Sequence, residues 1–207
     1  MATVLEDENM IPDILTQVEI LKQTSIEVGI FGDEDSEILQ YARANEYGIT
    51  ITPNQAGALT VPLNNEAAMK KAGDFNDLVF IERDGEPPLL ARTNGDDIEP
   101  MYILLKEVTI PERSFIRSYF DENRDDLQQL ADEKFSQILK GELSAKGMLD
   151  VIGLTAERGI VKQIESVDSP ANAEITVNSK STSAGTGDSP LENTGQMKRS
   201  ITYKVRT

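Results

Sequence analysis

Alternating carboxylates follow the first predicted strand with the spacing that begins a calcium-binding loop. Asp33, Asp35 and Glu37 occupy every second position, so their oxygens could converge on one cation. Such a loop also needs glycine at its sixth position, where Ile38 stands, and a closing glutamate in register, which is missing. The pattern therefore favours a solvated acidic turn, and we predict no metal site.

A second stretch contains the residues of a phosphate-binding loop in the wrong order. Lys180-Ser181-Thr182 precedes Gly185-Thr186-Gly187, whereas a phosphate loop places its glycines before the lysine, between a strand and a helix. We therefore reject a nucleotide site. Residues 190–200 predict a turn and a short helical stretch, and the adjacent basic residues Lys198 and Arg199 within them are expected to lie in a solvated turn.

The composition lacks the residues on which most side-chain catalysis depends. The chain of 207 residues has neither cysteine nor histidine, which excludes thiol nucleophiles, disulfides, thiolate metal sites and imidazole bases. Carboxylate pairs can hydrolyse glycosides, but with 36 Asp and Glu residues such pairs arise by chance. We predict a protein that is not an enzyme, with no catalytic residue and no cofactor.

The charge balance bears on the partners that the surface can bind. The formal net charge is -16, and such a surface repels nucleic-acid phosphates and anionic membranes. No apolar run approaches the roughly 20 residues of a transmembrane helix, and the acidic residues 1–9 do not form a signal peptide. We expect those nine residues to be disordered. We also expect that the protein has no membrane partner and shows no measurable binding to duplex DNA at physiological salt.

Helical periodicity predicts one long helix over residues 111–140, around which the other elements must be arranged. Apolar residues recur along it at three- and four-residue steps. Pro111 suits the first helical turn, where the N–H has no partner within the helix, and Gly141 suits the C-terminal cap. At roughly 45 Å it would exceed the roughly 17 Å radius of gyration of a chain this size, so it would cross the whole domain.

A second helix, over residues 143–166, is predicted despite three glycines. Gly147, Gly153 and Gly159 each cost about 1 kcal/mol relative to alanine. We expect close packing against a neighbour to hold this helix, the alternative being a break near Gly153. Shorter helices are predicted over residues 12–23 and 37–47, the second closed by Gly48.

The predicted strands fall into two groups. Residues 25–31 and 201–205 alternate apolar and polar side chains, and a short strand is predicted over residues 173–178. Residues 49–106 are richer in proline and glycine, with strands at 59–63, 78–81 and 102–105 and turns at Asp84-Gly85 and Asn94-Gly95. Residues 179–189 carry no apolar anchor, and we expect a mobile loop that contacts a neighbouring subunit after assembly.

This order of elements predicts an α+β fold. An antiparallel sheet would pack against the long central helix and the second helix. The core domain would comprise residues 1–48 and 107–207, and residues 49–106 would form a β-rich insertion within that domain.

Four short motifs stand in a characteristic order along the chain. They are Val28-Gly29-Ile30, residues 41–48 (YARANEYG), residues 110–117 (IPERSFIR) and residues 190–201 (PLENTGQMKRSI). In this order they resemble the head–tail joining and tail-completion (neck) proteins of tailed bacteriophages. The resemblance covers roughly residues 25–48 and 108–206, and residues 49–106 look like an insertion found in a larger subgroup of that family.

The resemblance implies a structural virion protein that forms a ring around the DNA path between head and tail. It implies a closed hexamer, contacts with other neck or connector proteins, and contacts with tail tube or tail terminator proteins. DNA would pass through the lumen without specific binding. Assembly in the host cytoplasm fits the absence of cysteine. Whether the ring is the tail terminator, the tail completion protein or a minor neck component stays open.

Two other classes of protein stay open as well. One is a minor capsid or decoration protein, and the other is an assembly chaperone or scaffold that is absent from the final particle. An enzyme of the virion, such as a cell-wall hydrolase, is disfavoured by the lack of histidine and cysteine. Locating the protein in purified virions would separate these classes.

Overall fold

Helices and antiparallel strands together build the chain, which confirms the predicted α+β class. The computed structural model describes residues 10–32, 36–54, 57–95, 97–167 and 195–207. By backbone contacts the chain divides into two units. The first unit comprises Met1–Asp33, Phe115–Ile164 and Lys198–Thr207, and the second unit comprises Glu34–Ser114 and Glu165–Met197.

The described elements are numbered here in chain order. The helices are α1 (Ile11–Gln23), α2 (Glu37–Tyr47), α3 (Asn65–Ala68), α4 (Ile116–Glu122), α5 (Arg124–Leu139), α6 (Ala145–Ser166) and α7 (Gln196–Ser200), with a 3-10 turn at Ala72–Asp74. The strands are β1 (Ser25–Ile30), β2 (Ile49–Ile51), β3 (Leu59–Pro62), β4 (Val79–Arg83), β5 (Glu86–Asn94), β6 (Asp97–Leu105), β7 (Val108–Ile110) and β8 (Ile201–Arg206).

The first unit contains an antiparallel pair of strands and the longest described helix. β1 and β8 pair from Ser25 opposite Arg206 to Ile30 opposite Ile201. The helix α6 buries about one residue per turn along a single face, as its helical period requires. The buried residues of that face are Ala145, Leu149, Gly153, Ala156, Ile160 and Ile164.

Two of the three glycines in α6 lie against tyrosine rings, which confirms that close packing holds this helix. A Cβ added at Gly153 would overlap the ring of Tyr203 on β8, and one at Gly159 would overlap the ring of Tyr119 on α4. Gly147 differs, because its nearest neighbours are the flexible end of Leu143 and the Ser144 hydroxyl. The alternative of a break near Gly153 is wrong, since α6 is continuous.

The predicted single helix over residues 111–140 is wrong in its start and in its continuity. The first helical residue after Pro111 is Ile116, and α4 ends before Asn123, where α5 begins after a change in backbone direction. The Asn123 side-chain amide donates to the Tyr119 carbonyl at 2.8 Å, alongside the backbone N–H of the same residue at 3.0 Å. A short polar side chain that bonds its own preceding turn competes with the regular helical pattern.

The predicted C-terminal cap at Gly141 is confirmed. Its φ is +73°, the left-handed conformation that favours glycine. The N–H of Gly141 donates to Ile138 at 2.9 Å and the N–H of Glu142 donates to Gln137 at 2.9 Å. This pair of bonds is a Schellman motif, which satisfies two carbonyls at the end of α5.

The second unit contains a four-stranded antiparallel sheet in the order β3-β6-β5-β4. Three strands of this sheet were predicted, and β5 was not. Tyr102 on β6 packs against Ala67 of α3 and against Phe75, and its hydroxyl lies 3.0 Å and 2.8 Å from the carbonyl oxygens of Ala67 and Lys70. A separate two-stranded ribbon pairs β2 with β7.

Several predictions fall outside the described residues. These are the disorder of residues 1–9, the strand over residues 173–178 and the mobile loop over residues 179–189. The division into a core domain (1–48 and 107–207) and an insertion (49–106) stays a prediction.

Candidate functional site

Two of the sequence motifs fold against each other within the second unit. The end of α2 carries YARANEYG, and the segment that follows β7 carries IPERS. The backbone N–H of Arg113 donates to the Asn45 carbonyl at 2.7 Å. This bond holds the second motif in an extended path beside the helix end, which explains why Pro111 does not begin a helix.

Three buried polar residues form the centre of this contact, which we call the motif junction (Tyr41, Asn45, Glu46, Arg113 and Ser114). Among the described residues, the buried polar side chains are those of Asn45, Glu46 and Arg113, with exposed fractions of 2%, 4% and 7%. Buried polar groups are costly unless they are hydrogen-bonded. A cluster of three therefore marks a place where the fold depends on specific polar contacts.

Hydrogen bonds connect the members of the motif junction. The Asn45 side chain donates from Nδ2 to the Tyr41 carbonyl at 2.9 Å and accepts from Arg113 Nη1 at 3.4 Å. The Ser114 hydroxyl donates to Glu46 Oε1 at 2.8 Å. Residues separated by 68 positions in the sequence thus contact through side chains as well as through the backbone.

The electrostatics of the junction follow from burial. Burial raises the pKa of the Tyr41 phenol, and the Arg113 charge and the Asn45 hydrogen bond partly offset that rise. Burial lowers the pKa of the Arg113 guanidinium, against the effect of Tyr41. Each of these two shifts has desolvation as its largest cause, although Arg113 is 7% exposed and Tyr41 is 38% exposed.

Gly48 closes α2 directly beside the junction. Its φ is +67°, and a Cβ added there would lie 2.9 Å from the Glu112 backbone nitrogen. Glycine is therefore required for two reasons, the backbone conformation and the close approach of the second motif. The approach of the two chain segments is as specific as the polar contacts.

The junction has the chemistry of a structural cluster. The Ser114 hydroxyl donates to the Glu46 carboxylate, and the Asn45 side chain is bonded to the Tyr41 carbonyl and to Arg113. We conclude that these contacts fix two chain segments relative to each other.

A second polar cluster lies on the surface of the second unit. Arg92 on β5 binds Glu66 through two bonds, Nη1 to Oε2 at 2.7 Å and Nη2 to Oε1 at 3.0 Å. Its Nε lies 2.8 Å from Asp77 Oδ2, and its Cζ lies 5.0 Å from the centre of the Phe75 ring. The bonds from Arg92, and then those from Lys70, lower the pKa of Glu66 from 4.5 to about 2.

An open cleft of about 560 Å³ adjoins this surface cluster. Asp77, Arg92, Asp97 and Glu99 are among its lining residues. The positive charge of Arg92 is already matched by Glu66 and Asp77, so the cleft presents net negative charge to a ligand. In the described part of the chain no group of three or more Asp and Glu side chains is arranged to hold a metal ion.

None of the residues considered as sites from sequence is a member of the motif junction. Glu37 is the first residue of α2, and its predicted companions Asp33 and Asp35 lie outside the described residues. The residues of the rejected phosphate loop, which begin at Lys180, also lie outside the described residues. Lys198 and Arg199 belong to α7, so the short helical stretch expected within residues 190–200 is confirmed, and the pair lies in it rather than in a turn.

The sequence motifs contain Asn45, Glu46 and Arg113, but the sequence alone assigns these residues no role. The available signal was the coincidence of an Asn-Glu pair at a helix end with an arginine directly after a proline. No described helix is both long and apolar enough to cross a bilayer. No family model, no curated protein and no solved structure matches the chain.

Proposed function

We propose that this protein is a structural component of a tailed-phage virion, without catalytic activity. It forms a ring in the neck that joins the head connector to the tail and lets DNA pass. The ring contains six copies in a closed, head-to-tail arrangement, in which each subunit uses two different surfaces. Other neck or connector proteins and tail tube or tail terminator proteins are its neighbours.

The observation that carries this proposal is the motif junction. The resemblance to neck proteins rests on four short motifs, each of which is weak evidence alone. Two of them, YARANEYG and IPERSFIR, supply all the buried polar residues of the described chain and contact each other there. Motif residues that form one buried cluster support a shared fold better than motif residues scattered over the surface do.

The charge of the chain supports the proposed position around DNA. A net charge of -16 disfavours adhesion to phosphates, so packaged DNA would slide past an acidic wall. Acidic residues should therefore be concentrated on the lumen of the ring. In a gel-shift experiment at physiological salt we expect no retardation of duplex DNA at micromolar protein, and a salt-dependent shift would contradict a sliding surface.

Locating the protein in the particle tests the proposal. The natural chain has no cysteine, so Met69→Cys, at an 85% exposed position, offers one attachment point on this chain for maleimide-coated gold. Particles that carry the unmodified chain measure the background from other virion proteins. We expect gold at the neck, and a density map of the neck should contain six copies of this fold in one ring.

Other label positions would contradict the neck proposal in distinct ways. Gold over the capsid shell would indicate a decoration protein. Absence from purified particles, combined with failure of head–tail joining when the gene is deleted, would indicate an assembly chaperone. A single copy at the neck would contradict the ring.

A further inference from the structure

The helix α1 belongs to the first unit but buries none of its side chains there. All 13 residues of α1 are described, and none of them is buried. Ile11 is 63% exposed, Leu15 is 62% exposed and Ile20 is 41% exposed. By contrast, α6 in the same unit buries six residues. Because most of the stability of a helix in a protein comes from packing of its apolar face, α1 is held far less firmly than α6.

One hydrogen bond joins a side chain of α1 to the backbone of α6. The Ala145 N–H, at the first residue of α6, donates to Gln17 Oε1 at 2.7 Å. The other glutamine near the end of α1 acts differently, because the Gln23 amide donates to Glu19 within the same helix at 2.9 Å. Gln17 therefore fastens α1 to the start of α6, and Gln23 does not.

The start of α6 also has a cap of its own. The Ser144 hydroxyl accepts from the Gly147 N–H at 3.1 Å, and the Ser144 carbonyl accepts from the Met148 N–H at 3.0 Å. A serine in this position stabilises the first turn of a helix from within its own segment. If α1 leaves, the Ala145 N–H becomes accessible to water, which commonly satisfies first-turn N–H groups. The first turn of α6 therefore does not need α1 to stay folded.

An open cleft of about 410 Å³ lies where α1 meets the turn between α5 and α6. Met10, Asp13 and Ile14 line this cleft together with residues 141–144. A gap forfeits the contacts that close packing would supply. Asp13 and Glu142 are both acidic, so their charges add no attraction at the cleft. The seat of α1, formed by residues 141–145, is therefore loosely packed.

A single residue connects α1 to the sheet of the first unit. Thr24 lies between the end of α1 and the start of β1, in an extended conformation with φ -121° and ψ 140°. β1 itself is fixed by six residue pairs with β8. Hinges are commonly a few residues at the end of an element. We propose that α1 is a releasable arm, which turns about Thr24 and leaves its seat as one unit when Gln17 detaches, while β1 and α6 stay folded.

The arm gives the first unit a partly open state that is reached without global unfolding. A free helix of 13 residues is marginal in water, so α1 loses its helical hydrogen bonds after release. Elements that move in binding and assembly are drawn from the least stable parts of a fold. The inference does not depend on the proposed neck ring, because every contact that it uses lies within one chain.

Native-state hydrogen exchange on the full chain tests the arm. After correction for intrinsic rates, the amides of α1 should share one opening equilibrium and exchange at least about a hundredfold faster than the slowest amides of α6. Gln17→Ala should speed exchange in α1 about fivefold, the effect of one typical net hydrogen bond. Gln23→Ala is the matched control, because it removes a glutamine from the same helix, and it should change exchange in α1 by less than about twofold. Neither substitution should change exchange in the middle of α6.

A covalent lock provides a second test. Asp13 and Glu142 are exposed and line the same cleft, and the natural chain has no cysteine. Asp13→Cys with Glu142→Cys, joined by a short bismaleimide, should slow exchange in α1 at least about tenfold, because the opened state is constrained. The same double variant with each thiol capped by N-ethylmaleimide is the control, and its α1 should exchange at the wild-type rate.

Other exchange patterns would overturn the inference. If α1 and α6 share one opening free energy, α1 leaves its seat only when the whole unit unfolds. Rates that decline steadily from Ile11 inwards would show fraying of single turns instead of release of one arm. Equal effects of Gln17→Ala and Gln23→Ala, or a lock that leaves exchange in α1 unchanged, would show that α1 is not fastened at this seat. The location of the protein in the virion is tested separately.

Discussion

The two units keep chain segments in close contact by opposite means. In the second unit, Asn45 and Arg113 connect two motifs through buried hydrogen bonds. In the first unit, Tyr119 and Tyr203 lie on glycines of α6, where no side chain separates ring from helix. The contacts in the second unit depend on polar groups that are present, whereas those in the first unit depend on the absence of a Cβ atom. The motif junction should therefore fail when atoms are removed, and the tyrosine–glycine contacts should fail when atoms are added.

Removing the guanidinium from the junction should have the largest effect on stability. Arg113 is 7% exposed and donates to Asn45 Oδ1, so Arg113→Ala leaves a cavity and unsatisfied buried acceptors. We expect the free energy of unfolding, measured by urea denaturation, to fall by about 3 kcal/mol. The exposed Arg43 on α2 is the matched control, and Arg43→Ala should change stability by less than about 0.5 kcal/mol. Equal effects of the two substitutions would show that the junction is not a specific polar contact.

Adding one methyl group to α6 should have the next largest effect. Gly153→Ala and Gly159→Ala each place a Cβ inside a tyrosine ring, so ring or helix must shift. Overpacking costs about 1–3 kcal/mol and alanine returns about 1 kcal/mol of helix propensity, so we expect net losses of up to about 2 kcal/mol.

Gly147→Ala supplies the control for that prediction within the same helix. Its added Cβ meets the movable end of Leu143, and helix propensity should then make the substitution neutral or stabilising by up to about 1 kcal/mol. A double-mutant cycle sharpens the result. With Tyr203→Ala in the background, Gly153→Ala should lose its penalty, because the ring that it strikes is gone. Independent, additive effects would refute the ring contact.

Alkaline pH distinguishes the two arrangements through their phenols. Burial raises the folded-state pKa of Tyr41 and of Tyr203, so the stability that each neutral phenol contributes is complete below about pH 10 and is lost as pH rises through the raised value. Arg113 opposes the rise at Tyr41, whereas Asp150 adds to the rise at Tyr203. Tyr203→Phe should therefore remove more of the stability loss above pH 10 than Tyr41→Phe does. The reverse order in urea titrations at several pH values would contradict these environments.

Disrupting the surface cluster around Arg92 should have the smallest effect on stability. It serves as a reference for the motif junction and for the tyrosine–glycine contacts. The pKa of Glu66 is lowered to about 2, so its contribution to stability is present above pH 4.5 and is lost as pH falls from 4.5 towards 2. Because these side chains are exposed, solvent screening keeps that contribution small. Carboxyl NMR should show the low pKa and its return towards 4.5 in Arg92→Gln. Arg83→Gln, which alters another surface arginine, should leave the Glu66 titration unchanged.

The sequence predicts this fold best where the signal is local. The glycines of α6 predicted close packing, and Gly141 predicted a helix end, because each acts through its own backbone. The prediction of a helix start at Pro111 is wrong for the opposite reason. Its local preference favours a helix start, but the bond from Arg113 to Asn45, 68 residues earlier, holds the segment extended.

Two other misses have similar causes. Asn123 interrupts the predicted long helix through a side-chain bond that periodicity does not register. The strand β5 was missed because Pro87 and Pro88 read as loop residues, although prolines near a strand end are compatible with a sheet. The same limit applies to the motif junction. Its residues belong to sequence motifs, but only the tertiary structure shows that Asn45 and Arg113 are in contact.

Gly48 limits how this chain can change by single mutations. Its backbone conformation excludes most side chains, and the Glu112 nitrogen excludes even the smallest one. An alternative residue would require residues 110–112 to move at the same time, so no single step leads away from glycine. In a library of point substitutions selected for folding, position 48 should return only glycine. Gly73, where an added Cβ meets nothing within 4 Å, should accept several residues. A sequence lineage can thus explore position 73 freely and is confined at position 48.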